Sequence, residues 1–248
     1  MAVLGDLGTF PYSIDALKLT VGYWHHIVNS NPDSLLLQMY QSLQNSDWYS
    51  LKINMLFKKV NFEHVWENQN SFSKTRLTFS IFKKLQENFI TFWKEKLDSN
   101  THLNGLQSGN KLRTYKTLKE NFEIENFLKL DIDKSDISNF MKVRISNSNL
   151  MIEKGRHKNI TAELRICPLC NSGVEDERHF SVVCSVLKDK RKYFFDKLEN
   201  IVPSFSGLSD VEKFRFIFMS NDYDIMCCCV QGISTLYTER NNLLKTKL

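Results

Sequence analysis

The sequence predicts a mainly α-helical protein. Among its 248 residues, only 9 are glycine and 4 are proline, so few tight turns and hairpins are expected. Apolar residues recur at the spacing of an amphipathic helix through most of the chain. With 42% hydrophobic and 25% charged residues, the chain has enough apolar mass for one large or two small globular domains.

Residues 1–98 are predicted to form a helical bundle. Ser13 is the expected N-cap of its first helix, and Pro32 with Asp33 opens the second. In the third helix, Trp48 and Leu51 are among the apolar residues expected in the core. The fourth is long, roughly 35–40 Å at about 1.5 Å per residue, and is expected to be the spine against which the others pack. The four predicted helices span residues 13–30, 32–46, 46–60 and 73–98.

A polar stretch with two glycines, residues 99–110, predicts a linker. Residues 111–200 are predicted as a second region, and residues 201–248 as C-terminal helices. One or two short helices are expected first in this part, and Ser135 or Asp136 is the expected cap of the next. The further predicted helices span residues 133–147, 185–202, 209–220 and 222–244.

Between these helices, four metal-ligand residues lie close together in the order Cys167-x2-Cys170-x8-His179-x4-Cys184. A two-residue gap between cysteines forms a tight turn that points both thiolates inward. Three cysteines and one histidine complete a tetrahedral zinc shell and leave no open position for water or substrate. The pattern therefore predicts a small structural zinc knuckle, with a cluster of reduced cysteines in a protein core as the alternative.

The gap between His179 and Cys184 poses a geometric problem. Residues five apart on an ideal α-helix point in directions roughly 140° apart, at about 100° per residue. Both side chains can bind one ion only if the helix begins near His179 or frays before Cys184. The acidic run Glu175–Glu177 is expected to charge the N-terminal end of this helix, where acids suit the helix dipole.

Other reactive side chains have simpler explanations. Cys227–Cys229 are consecutive on an apolar helix and are expected as small buried residues. His25 and His26 are expected at the edge of a core. The chain contains no Gly-rich phosphate loop, nucleophile elbow or H-E-x-x-H motif, which argues against an enzyme.

Positive charge is concentrated around the cysteines. Met141–Leu198 contains twelve Lys or Arg and seven Asp or Glu residues, so this segment accounts for the whole formal charge of +5. A basic segment points to an acidic polymer as partner. A solvated basic face with no partner is the alternative.

Several short elements resemble a known family. They are "RISNSNLMIEKGR" before the cysteines, "RICPLC" at the first two ligands and "ERHFSVVC" at the last two. They resemble the C-terminal zinc-binding region of non-LTR (LINE-type) retrotransposon reverse transcriptases. The segment from Ala2 to Val28 is also similar to the region that follows the polymerase core in those polyproteins. The resemblance covers nearly the whole chain, most specifically Lys111 to about Phe195.

The resemblance implies a non-catalytic tail that binds RNA or DNA, without the endonuclease and polymerase domains of the parent polyprotein. It implies Cys167, Cys170, His179 and Cys184 as zinc ligands. Binding is expected to be weak, sequence-tolerant and salt-dependent. The candidate nucleic-acid-binding residues are Arg144, Arg156, His157, Lys158, Arg165, Lys188, Lys190, Arg191, Lys192 and Tyr193.

A second hypothesis is a zinc-stabilised helical module that binds proteins, such as the polymerase portion of the parent polyprotein, with no role in nucleic-acid binding. The N-terminus lacks the features of a signal peptide, and no segment is apolar enough for a membrane partner. Bunched cysteines that do not form a disulfide framework favour a reducing compartment, the cytoplasm or the nucleus.

Overall fold

The computed structural model describes residues 1–98 and 112–246, and these residues fold almost entirely into helices. The mainly α prediction is confirmed. The only strand-like pairings among the described residues are two isolated bridges, Leu7 with Ile124 and Ile166 with Val174. Residues 99–110, predicted as a linker, lie outside the described ranges. The α-helices are α1 (Ala2–Leu7), α2 (Tyr12–Val28), α3 (Leu35–Leu43), α4 (Trp48–Lys59), α5 (Glu63–Glu67), α6 (Lys74–Asp98), α7 (Tyr115–Leu118), α8 (Lys134–Arg144), α9 (Met151–His157), α10 (Lys188–Ile201), α11 (Asp210–Met219) and α12 (Tyr223–Thr246).

The chain divides into two compact units. The N-terminal unit is Phe10–Glu95, and the C-terminal unit combines Met1–Thr9 with Lys96–Leu248. Helix α1 therefore packs with residues more than a hundred positions further along the chain. Residues 201–248 belong to the same unit as the cysteine-rich stretch.

The N-terminal unit is built around Trp24. Its ring meets the ring of Phe57 edge-on at 4.9 Å between centroids, and its indole N–H donates a hydrogen bond to the Tyr40 hydroxyl. Trp48 and Leu51, predicted as core residues, are exposed instead. They share a face of α4 that points away from the buried residues Ile53 and Phe57, which lie on the opposite side of the same helix.

The core of the C-terminal unit includes the predicted knuckle. Cys167 and Cys184 are buried in one continuous apolar cluster with residues of α8, α10, α11 and α12. Phe180, which lies between two of the predicted ligands, meets Tyr237 of α12 edge-on at 6.2 Å. The segment predicted as a knuckle is thus part of the core of a larger unit.

Side chains cap the N-termini of α4, α8 and α11. Asp133 caps α8 by accepting a hydrogen bond from the Ser135 backbone N–H, which corrects the predicted cap at Ser135 or Asp136. Ser209 and Glu212 form a reciprocal capping box at the start of α11. Within the described ranges, no helix has a run of apolar residues that could span a bilayer.

Candidate metal centre

The four predicted ligands converge in the structure. Their sulfur and nitrogen atoms all lie within 4.8 Å of one another. The Sγ atoms of Cys167 and Cys184 are 3.9 Å apart, and Cys170 Sγ is 3.2 Å from His179 Nε2. Zinc bonds of 2.0–2.3 Å in a tetrahedron place neighbouring ligand atoms about 3.3–3.8 Å apart. The cluster therefore has the composition and nearly the dimensions of a four-coordinate metal site.

A tight turn presents the first two cysteines. The Cys167 N–H donates to the Gly173 carbonyl at 2.8 Å, and the Asn171 N–H donates back to the Cys167 carbonyl at 2.9 Å. Asn171 has a φ of +54°, in the left-handed region that asparagine tolerates better than most residues. These bonds fold the chain back at Ile166 and Val174 and aim both thiols to one side.

A π-helical turn presents the other two ligands. His179–Val183 is π-helical, and the Cys184 N–H donates to the His179 carbonyl at 2.7 Å, five residues back. This wider turn brings residues five apart onto the same side, where an α-helix would separate them by roughly 140°. Cys184 itself leaves the helix with extended backbone angles. The helical turn begins at Glu177, near His179 as expected, and it ends before Cys184, while the π-helical residues between the two ligands turn both toward the same side.

The thiols of the cluster polarise one another. The hydrogen bond with Cys184 and burial raise the pKa of Cys167 to about 12, and the same hydrogen bond lowers the pKa of Cys184. Burial acts to raise the pKa of Cys170, but hydrogen bonds from Ser172 outweigh it and lower that pKa. The Cys167 sulfur raises the pKa of His179. A divalent cation would replace these internal hydrogen bonds with four metal–ligand bonds and hold the thiols as thiolates.

The acidic run beside the cluster connects it to distant helices. Glu175 is fully buried and accepts hydrogen bonds from both Arg240 of α12, at 2.6 and 2.7 Å, and the Cys167 thiol, at 3.8 Å. Glu177 is also buried and pairs with Arg113 at 2.9 Å. Only Asp176 caps the His179 turn, by accepting from the His179 N–H at 2.7 Å. Glu177 is the first residue of this helical turn, as predicted, although it also pairs with Arg113. Glu175 lies before the turn and is buried against Arg240 instead.

Sequence reasoning missed these arginines as parts of the site. Arg113 and Arg240 lie far from the cysteines in sequence, and no spacing rule links them to the ligands. The only sequence signal was the unusual density of acids next to two ligands.

The cysteines of α12 and His25 lie outside the Cys3His cluster, in or at the edge of an apolar core. Cys229 is buried in the apolar core, and Cys227 and Cys228 are half-buried. The Nε2 atom of His25 lies 2.7 Å from the Phe72 carbonyl, which is consistent with its expected place at a core edge. Among the described residues, the only metal-compatible group of three or more His, Cys, Asp or Glu is the Cys3His cluster.

Three of the basic residues predicted to contact nucleic acid are buried. Arg144, Arg165 and Arg191 are 1%, 1% and 5% exposed. Arg144 pairs with Glu125 at 3.1 Å, and Arg165 donates to the Ile152 carbonyl at 2.8 Å. These guanidinium groups cannot reach a phosphate in this fold, because their donors point into the protein. This corrects the prediction for all three.

The other candidates lie at the surface. Arg156 is half-buried and pairs with Glu153, while His157 and Lys158 are exposed at the end of α9. Lys188, Lys190 and Lys192 are exposed at the start of α10, with Lys190 paired to Glu239 at 3.1 Å. Tyr193 is 69% exposed, and its ring lies under the Lys197 ammonium at 4.6 Å. Lys158, Lys188, Lys192 and Tyr193 therefore remain accessible among the predicted contacts.

Comparisons with known proteins identify no relative. No protein-family model, no curated protein and no solved structure matches the chain.

Proposed function

We propose that Cys167, Cys170, His179 and Cys184 bind one zinc ion as the structural centre of a non-catalytic nucleic-acid-binding module. The convergence of four soft ligand atoms within 4.8 Å of one another is the observation that carries this proposal. Thiolate and imidazole ligands suit zinc, and four protein ligands leave no position for a reacting water. The module would correspond to the tail of a LINE-type reverse transcriptase, as the sequence resemblance implies.

Metal analysis of the purified, reduced chain tests the zinc site. We expect one zinc per chain, and we expect Cys170→Ser to reduce that content strongly because it removes one of four ligands. Cys228→Ser is the matched control, since both cysteines are half-buried and only Cys170 belongs to the cluster. A chain without bound metal, or equal loss in both variants, would contradict the proposal.

Exposed cations next to the metal centre support a role in nucleic-acid binding. Lys188 and Lys192 lie four residues apart on one face of α10, four and eight positions after Cys184. Tyr193 follows them with a largely exposed ring on which a base could stack. With three predicted arginines buried, few phosphate contacts are left, so affinity should be in the non-specific range of roughly 10⁻⁴–10⁻⁶ M at physiological salt.

Binding of a fluorescent single-stranded oligonucleotide at several salt concentrations tests this role. Each lost phosphate contact should reduce the salt slope by about 0.7 for a single strand. We therefore expect Lys188→Glu with Lys192→Glu to weaken binding and flatten the slope. The control pair, Lys58→Glu with Lys59→Glu, makes the same charge change on exposed residues of α4. Identical binding by both double variants would locate the contact surface elsewhere or rule it out.

The N-terminal unit supports the second candidate, a protein-interaction module. Leu35, Leu36 and Met39 are exposed along one face of α3, and Trp48 and Met55 along one face of α4. Exposed apolar residues grouped on helix faces are typical of protein-binding surfaces. If Met39→Glu and Met55→Glu abolish capture of a polymerase fragment while oligonucleotide binding is unchanged, the two functions belong to different units.

A further inference from the structure

Arg191 of α10 is a buried cation beside the candidate metal centre. Its side chain is 5% exposed, and one guanidinium nitrogen donates to the Cys184 carbonyl at 3.0 Å and to the Phe180 carbonyl at 3.4 Å. Its Nε atom has no hydrogen-bond partner among the described residues. The guanidinium also lies 5.8 Å from the centroid of the Phe195 ring.

No carboxylate neutralises this cation at close range. Within the described ranges, no carboxylate oxygen lies within 4.0 Å of the Arg191 guanidinium. Asp210 acts to raise the pKa of Arg191, but its side chain is exposed to solvent. Two other buried arginines of this unit have such a partner, since Arg240 pairs with Glu175 and Arg144 with Glu125. Among the residues that the structure describes, buried Arg165 has none within 4.0 Å either, but its guanidinium donates to the carbonyls of Ile152 and Ile160, and neither of these residues is a predicted ligand. Removing a charge from water has a large free-energy cost unless another charge compensates it.

Arg191 contacts the backbone of Cys184, which is one of the four predicted ligands. Burial lowers the pKa of Arg191 to about 10, which still leaves it protonated at neutral pH. A Zn²⁺ ion with three thiolates and one neutral imidazole has a net charge of −1. A single adjacent guanidinium would bring the buried assembly to neutrality.

We infer that Arg191 is the counter-charge of the loaded metal centre and a positioning residue for the Cys184 ligand. This inference rests on the proposed metal site. The guanidinium compensates the excess negative charge of the Cys3His complex, and its hydrogen bonds to the Cys184 and Phe180 carbonyls fix the segment that leaves the π turn. Groups outside the ligand set commonly tune metal affinity in this way.

The test compares metal affinity among variants that separate charge from hydrogen bonding. Arg191→Gln retains a donor but removes the charge, and Arg191→Lys retains the charge with fewer donors. Affinity for Zn²⁺ is measured on the reduced, metal-free full chain by competition with a chromophoric chelator, and far-UV circular dichroism monitors folding. We expect Arg191→Gln to weaken Zn²⁺ binding about 10- to 100-fold and Arg191→Lys to remain nearer to the parent chain.

Arg178→Gln is the matched control. Arg178 precedes the His179 ligand directly but is exposed, so water screens its charge and affinity should change little. Equal losses in the Gln and Lys variants of Arg191 would overturn the charge assignment in favour of a packing role. If the parent chain binds no Zn²⁺, the proposed metal site fails instead, and the two failures are thereby distinguished.

A double-mutant cycle provides an independent readout. Cys170→His converts the ligand set to two cysteines and two histidines, which makes the zinc complex neutral. The Arg191→Gln penalty should then be much smaller than in the parent ligand set, because no excess negative charge requires compensation. An undiminished penalty would contradict the inference even if every variant folds.

Discussion

Glu175 joins the last long helix of the chain to the candidate metal centre. Its carboxylate accepts two hydrogen bonds from Arg240, one from the Met151 backbone N–H and a weak one from the Cys167 thiol. Both partners of the ion pair are fully buried. A buried pair of this kind contributes little net stability relative to apolar residues, but either partner is costly when left alone. The pair therefore fixes which residue of α12 lies beside the ligands.

Arg240→Met should destabilise the C-terminal unit by about 3–5 kcal/mol, because Glu175 would remain buried without its main partner. Chemical denaturation of the zinc-loaded chain measures the effect. Arg215→Met, at an exposed position of α11, should change stability by no more than about 0.5 kcal/mol. The double variant Glu175→Met with Arg240→Met should recover much of the loss, and a loss as large as in the single variant would contradict this account.

Among the helices of the C-terminal unit, α10 and α12 pack closely against each other at Gly232 and Phe194. Gly232 lies so near the Phe194 ring that an added Cβ would be 2.3 Å from a ring carbon. Phe194 is buried and cannot swing away into solvent. This contact fixes α10, which begins four residues after Cys184. It thereby supports the C-terminal side of the candidate metal centre.

Glycine to alanine therefore has opposite effects in two helices. Gly232→Ala should destabilise the protein by about 1–3 kcal/mol, as overpacked cores do. Gly22→Ala, within α2, would place its Cβ at ordinary contact distances of 3.6 and 3.7 Å. It should stabilise its unit by up to about 1 kcal/mol through helix propensity. Thermal unfolding of both variants measures the signs, and stabilisation by Gly232→Ala would show that the two helices can separate.

At the scale of the whole molecule, the two ends of the chain belong to the same compact unit. The first nine residues belong to the C-terminal unit, although an entire second unit intervenes in sequence. Asp6 of α1 is fully buried, accepts a hydrogen bond from the Tyr115 hydroxyl at 2.8 Å and lies 3.6 Å from the Arg144 guanidinium. Burial outweighs the attraction of Arg144 and raises the pKa of Asp6.

Asp6→Ala should destabilise the C-terminal unit by about 3 kcal/mol, at the low end for a broken buried pair because Arg144 keeps Glu125 as a partner. Protection of C-terminal-unit amides in hydrogen exchange measures this effect. Asp15→Ala, at an exposed site on α2, is the control and should leave that protection unchanged. Equal protection in the two variants would show that α1 contributes nothing to the unit.

The sequence alone determined the helical class, the long α6 helix and the four Cys and His residues that the structure brings together as a candidate metal centre. These features depend on local periodicity and short spacings, which the residues themselves specify. It missed the short helices α1, α5 and α9, whose few residues carry too little periodic signal. Only the tertiary structure decided that Arg144, Arg165 and Arg191 face inward and that α1 docks on the C-terminal unit. Whether an arginine meets water, a carboxylate or a thiolate depends on residues distant in sequence, and no local pattern contains that information.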